Sequence, residues 1–192
     1  MKKLLWLDDY RDPKDTETDM QKRIILVSKG GGGKDFFKNY LKKKGYEVDI
    51  SYTTRKPRKG EKQGETYHYI SIGEFEKLER NKYFYESVTF NGWNYATSKT
   101  NWHKRKVCIK TPSGIKQLKP KDIEESIIIY FDIDRNVRAE RLERRKDADN
   151  VGRRLAADTI DFKGFETFHI RVTNERFNCK KLLKTIKQYD KI

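Results

Sequence analysis

Cysteine is nearly absent from this chain: Cys108 and Cys179 are the whole supply in 192 residues. Two thiols so far apart build neither a disulfide framework nor a zinc site, and a reducing, cytoplasmic setting is the expectation. Long apolar runs are missing too. The longest, Ile127-Ile128-Ile129-Tyr130-Phe131, has the size of a strand and falls far short of a membrane span. The opening Met1-Lys2-Lys3-Leu4-Leu5-Trp6-Leu7 starts as a secretory leader does, but Asp8 and Asp9 end the apolar stretch too early. Negative charge is also scarce: 29 Asp and Glu stand against 44 Lys and Arg, a net charge of +15. That imbalance points to anionic partners, either nucleic acid held non-specifically through its phosphates or small phosphorylated substrates, and charge alone does not choose between them. Hydrophobic residues make up only 35% of the chain, yet eleven Tyr and ten Phe supply core volume that disordered chains lack. The length suits one domain with room for a smaller inserted unit.

The first 22 residues read as an appendage. Leu4-Leu5-Trp6-Leu7 has the pattern of a short strand, and Leu5 to Pro13 resembles the opening strand and acidic turn of receiver-like domains, without the rest of such a domain. The main domain, residues 23–192, opens with Ile24-Ile25-Leu26-Val27, a continuous run suited to a strand buried on both faces. Ser28-Lys29-Gly30-Gly31-Gly32-Gly33-Lys34-Asp35 follows, then Phe36, Phe37, Tyr40 and Leu41 at helical spacing, with Gly45 as the stop. Tyr46 to Ile50 alternates like a second strand. Val107-Cys108-Ile109, Ile127 to Phe131 and Ile170-Arg171-Val172 are further strands. Ile72 to Tyr83, Arg135 to Arg145 and Phe177 to Gln188 read as helices. Strands alternating with helices predict an α/β domain around a mostly parallel sheet.

The glycine loop carries the first chemical signal. Between a buried strand and an amphipathic helix, Gly30, Gly31, Gly32 and Gly33 let backbone N–H groups approach phosphates, and Lys34 reaches toward the β- and γ-phosphates. Ser28 stands where the G-x-x-x-x-G-K-[ST] pattern has its first glycine. Asp35 replaces the hydroxyl that holds Mg²⁺, and a carboxylate is itself a hard oxygen ligand. The second signal is Ser51-Tyr52-Thr53-Thr54-Arg55-Lys56-Pro57-Arg58-Lys59-Gly60-Glu61 with Gly64 and Tyr67-His68-Tyr69. Its two arginines and its tyrosine suit an isolated phosphate, as planar forks and a neutral donor.

These segments resemble those of guanylate kinases, in the right order, and the likeness runs from about Arg23 to Ile186. The resemblance implies a P-loop kinase fold with a monophosphate-binding insertion near residues 51–98 and an arginine-rich lid near 144–165. It also implies transfer of phosphate from ATP, with Mg²⁺, to a nucleoside or deoxynucleoside monophosphate. Arg55, Arg58, Tyr67 and Tyr95 fall on phosphate-binding positions. Glu86, in Glu86-Ser87-Val88-Thr89-Phe90-Asn91-Gly92-Trp93-Asn94-Tyr95-Ala96-Thr97, falls on the carboxylate that reads guanine, and Ser51 and Thr97 on hydroxyls that contact the base. Arg141, Arg145 and Arg154 match lid arginines, and Asn174 in Val172-Thr173-Asn174 lies beside the donor base. One departure is plain. Val107 to Gly114 holds no carboxylate where the family carries an aspartate pair, so base reading falls to Glu86, which favours GMP or dGMP. Together with Asp35, this shortened segment looks like that of bacteriophage deoxynucleotide kinases. Asp132 and Asp134 are placed either as compensating metal carboxylates or as the start of the next helix.

Overall fold

A computed structural model describes residues 21–104, 107–144 and 150–191. The appendage therefore lies outside the described residues, apart from Gln21 and Lys22. The chain enters β1 (Arg23–Ser28), passes the glycine loop and forms α1 (Lys34–Lys43). Next come β2 (Tyr52–Thr53), β3 (His68–Tyr69), α2 (Ile72–Arg80), β4 (Phe84–Phe90), β5 (Trp93–Ser98) and α3 (Lys99–Lys104). The remainder is β6 (Val107–Ile109), α4 (Pro112–Ile115), α5 (Pro120–Glu124), β7 (Ser126–Phe131), α6 (Arg135–Arg144), α7 (Val151–Asp161), β8 (Ile170–Val172) and α8 (Cys179–Tyr189).

The core sheet has the order β6-β1-β7-β8 and every pairing in it is parallel, as the continuous apolar runs predict. Because side chains alternate across a strand, β1 and β7 feed two separate cores. Ile24, Leu26, Ile127, Ile129 and Phe131 pack with Phe37 and Leu41 of α1 and with Leu182, Leu183 and Ile186 of α8. Ile25, Val27, Ile128 and Tyr130 pack on the other face with Trp102, Ile115, Leu118 and Phe162. Each fully buried aliphatic side chain contributes roughly 1.5–3 kcal/mol. The sheet is thereby clamped from both sides, which holds the loop at the end of β1 in place.

Two helix ends are closed by local backbone and side-chain features, the first of them at the glycine expected to stop α1. Gly45 takes φ 93° after α1, and Asn178 caps α8 by accepting from the Lys181 N–H. Asp134 likewise accepts from the Asn136 N–H at 2.8 Å and opens α6, the second of the two placements weighed for it. Tyr46 to Ile50 departs from expectation. Its one bridge is Val48 to Val107, backed by Asp49 N–H donating to Val107 O at 2.7 Å.

A second sheet, ordered β3-β2-β5-β4, is built from residues within the expected insertion. Its β4–β5 hairpin turns on Asn91 and Gly92, at φ 53° and 78°, the left-handed pair that a tight hairpin requires. Phe75, Phe84 and Ala96 form its own small core. Between the two sheets lies a cleft of about 930 Å³.

Candidate active site

The glycine loop is shaped by close approach. Gly31 and Gly33 sit at φ 78° and 96°, and a Cβ at Gly31 would come within 2.8 Å of Arg138 O. Ser28 turns its hydroxyl inward to donate to Lys29 O at 2.6 Å. A Cβ on Gly32 would lie 2.1 Å from that same Oγ. The serine that replaces the usual first glycine thus takes the space that a side chain at residue 32 would need.

Beneath and above the loop sit charges from α6 and α7. Arg138, 4% exposed, donates through Nη1 to Gly30 O at 3.3 Å and to Asp158 Oδ2 at 3.1 Å, and through Nε to Ile133 O at 3.1 Å. Asp158 also accepts the Gly30 N–H at 2.9 Å, so a buried carboxylate ties α7 to the loop. Burial pushes the Asp158 carboxyl up, against the pull of the Gly30 N–H, Arg138, Arg154 and Lys34. Arg141 donates to Gly31 O at 3.1 Å and to Glu175 O at 2.9 Å, which braces the loop against the turn after β8. Arg154 lines the cleft, beside Gly30. Arg145 lies outside the described residues. Asn174 Oδ1 accepts from the Arg176 N–H at 2.9 Å within the turn after β8. Lys34 faces the cleft with Asp35 at 3.7 Å, and Asp35 also holds Lys38 at 3.1 Å.

Across the cleft, the loop after β2 gathers the expected phosphate ligands. Arg55 is 7% exposed, and Nη2 donates to Glu61 Oε1 at 2.9 Å. Glu61 Oε2 accepts from the Arg58 N–H at 2.7 Å and from Tyr69 Oη at 2.8 Å. Burial alone would raise the Glu61 carboxyl; the Arg58 N–H, Tyr69 and Arg55 outweigh it and hold it below the ordinary glutamate value. The Arg55 guanidinium stands 5.5 Å from the Tyr67 ring centroid, and Tyr67 and Tyr95 meet edge to face at 6.1 Å. Burial pushes the Tyr67 hydroxyl far above its ordinary value, so it stays a neutral donor. Glu61 was visible in the sequence as part of the basic loop, but its service to Arg55 depends on how the loop folds back.

The third corner holds a group that motif reading passed over. Lys110, at the end of β6, donates to Glu86 Oε1 at 2.5 Å and to Thr97 Oγ1. The Lys110 and Glu86 side chains are only 2% and 5% exposed, so this is a buried ion pair. Glu86 is therefore not the bare carboxylate that the sequence suggests. Asp49 completes the corner: its Oδ2 accepts from Ser51 Oγ at 2.7 Å and from Thr97 Oγ1 at 3.3 Å. Asp132 belongs elsewhere, gripping Tyr130, Lys29 and Arg171. Of the anticipated residues, Lys34, Asp35, Gly30, Ser51, Arg55, Arg58, Tyr67, Glu86, Tyr95 and Arg154 line one cleft.

Comparison with known proteins agrees with this arrangement. The guanylate kinase family model matches residues 20–189. The guanylate kinase of Aromatoleum aromaticum is 36% identical over 86 residues, 44% of this chain and 42% of that protein. The matching stretch thus spans under half the length of that relative. The guanylate kinase of Prochlorococcus marinus is 28% identical over 182 residues, covering 86% of this chain and 97% of the relative. The crystal structure of guanylate kinase from Anaplasma phagocytophilum superposes with a TM-score of 0.66 over 89% of this chain and 85% of that one, at 20% identity, a likeness of fold. With a family match running from before β1 into α8 and the same core architecture, the chain belongs to the guanylate kinase family.

Proposed function

We propose that this chain transfers the γ-phosphoryl group of ATP to a nucleoside or deoxynucleoside monophosphate, with GMP or dGMP favoured, releasing ADP and the diphosphate. One observation carries the reading: the glycine loop with Lys34 and the Arg55–Arg58–Tyr67 group face each other across a single cleft. A donor triphosphate on the loop and an acceptor phosphate on the arginines then meet end to end, which is the arrangement that in-line transfer needs. Lys34 neutralises charge on the moving group, while Arg55, Arg58, Tyr67 and Tyr95 hold the acceptor phosphate. Arg154 faces the transferring oxygens from α7, whose closure would exclude water so that transfer outruns hydrolysis. The donor set at Asp35 fits a Mg²⁺ that arrives with the triphosphate: one half-exposed carboxylate at the cleft mouth, the remaining ligands being phosphate oxygens and water. The metal would supply charge neutralisation between phosphates.

The test is a coupled assay of ADP production with the common ribo- and deoxynucleoside monophosphates. Turnover of GMP or dGMP above the others supports the reading. No turnover with any of them sinks it and leaves a nucleotide-binding module without catalysis.

A further inference from the structure

The base corner differs from a pocket that reads guanine with carboxylates and hydroxyls alone. Two hydroxyls, Ser51 and Thr97, face it, and both protons are already committed to Asp49. A hydroxyl has one proton, so neither is left to donate to a ring carbonyl; each can only accept. The donor at this corner is Lys110. Its ammonium carries three N–H groups, of which Glu86 and Thr97 take two. Burial works against the Lys110 charge, but Glu86, with Asp49 behind it, outweighs burial and keeps the ammonium charged. The Trp102 ring centroid lies 5.5 Å from Nζ. Lys110, Glu86 and Asp49 all line the cleft.

We propose that Lys110 is the specificity-determining residue of the acceptor site: with Glu86 it forms a donor–acceptor pair that reads the lactam edge, –NH–C(=O)–, of an oxo base. This deepens the kinase reading and rests on it for the location of the acceptor. The ring N–H donates to the Glu86 carboxylate while the adjacent carbonyl accepts from Lys110. Guanine, hypoxanthine, thymine and uracil present that edge. Adenine and cytosine present the reverse, a ring-nitrogen acceptor beside an amino donor. The guanine 2-amino group lies outside this donor–acceptor pair. The site therefore takes oxo-base monophosphates as a class.

Equilibrium binding of GMP, IMP, dTMP, AMP and dCMP to the full chain tests this, with ADP production measured on the same samples. Expected is IMP within about tenfold of GMP, AMP at least about tenfold weaker than IMP, and dTMP tighter than dCMP, the scale of one charge-assisted hydrogen bond. Lys110→Met should bring the IMP and AMP affinities together. Because that variant leaves Glu86 buried without a counter-charge, the double variant Glu86→Gln/Lys110→Met is measured beside it and should show the same levelling. IMP bound no better than AMP by wild type, GMP preferred over IMP by more than about tenfold, or an unchanged IMP:AMP ratio in the double variant would overturn the proposal. Lactam-selective binding without turnover would sink the kinase reading alone. Turnover with no base preference would sink this one alone.

Discussion

Lys34 and Glu61 show how differently two charged residues act at one site. Lys34 makes few demands on the fold: it stands at the first position of α1 with its side chain directed into the cleft. Lys34→Ala should therefore lower kcat by far more than tenfold, over ~1.4 kcal/mol of transition-state stabilisation, while the melting temperature stays within experimental error. A variant that keeps a tenth of the wild-type kcat would show that the lysine is not at the transferring phosphate. Glu61 acts through others. It fixes the Arg55 fork and the Arg58 backbone, so Glu61→Gln should raise KM for the monophosphate by roughly three- to tenfold with little change in KM for ATP. Its acid response has a definite sign. The folded carboxyl titrates below the unfolded one, so the unfolded chain binds the extra proton first. Stability from Glu61 is complete above the ordinary glutamate value of about 4.3 and is lost as pH falls through the lower folded value. Wild type should accordingly lose more stability than Glu61→Gln across that window in acid melts. Equal losses would mean that Glu61 is not held by these partners.

At the scale of elements, the strand–loop–helix unit was legible because each of its parts has a local cause. The β-branched run must be buried, the glycines must admit left-handed backbone, and the helix stripe must face the sheet. The parts that were not legible are pairings across long sequence distances. Lys110 reads in isolation as an ordinary lysine after a short strand; it meets Glu86 only because β4 and β6 border the same cleft. Asp158 looks like a polar residue on a mixed helix until α7 lies over Gly30. Asp49 sat within a stretch read as a strand, and that stretch supplies a corner of the site instead of a ladder. The glycine loop itself makes a coupled prediction. Gly32→Ala should cost about 1–3 kcal/mol in unfolding free energy, because its Cβ meets the Ser28 hydroxyl. In a Ser28→Gly background the same change should cost measurably less, a coupling of at least ~0.5 kcal/mol in a double-mutant cycle. Additive losses would place the strain with the Lys29 and Phe131 carbonyls, each 3.2 Å from the same Cβ, and not with Ser28.

For the whole molecule, the question is where the charge of +15 resides. It is not concentrated in the cleft. Eight basic side chains line that space, among them Lys34, Arg55, Arg58 and Lys110, and seven acidic ones face them, among them Asp35, Asp49, Glu61 and Glu86. The cleft is close to balanced, and the excess is spread over the outer surface, where exposed lysines such as Lys43 on α1 and Lys77 on α2 are hydrated. Screening acts most on solvated charges and least on buried pairs such as Lys110–Glu86. The two kinds of partner that the composition admits should therefore separate by salt. Generic duplex DNA, held only by the outer lysines and arginines, should bind weakly and lose affinity by orders of magnitude between about 50 and 200 mM salt. Across the same range kcat/KM for the preferred monophosphate should fall by less than about tenfold, because a few oriented ligands in a nearly neutral cleft hold the substrate. The measurement is the slope of log affinity against log salt for DNA beside that of log kcat/KM. Parallel slopes would mean that diffuse surface charge, and not the Arg55–Arg58–Tyr67 group, recruits the acceptor. Sequence-selective DNA binding that survives physiological salt would make nucleic acid the partner that the surface charge serves.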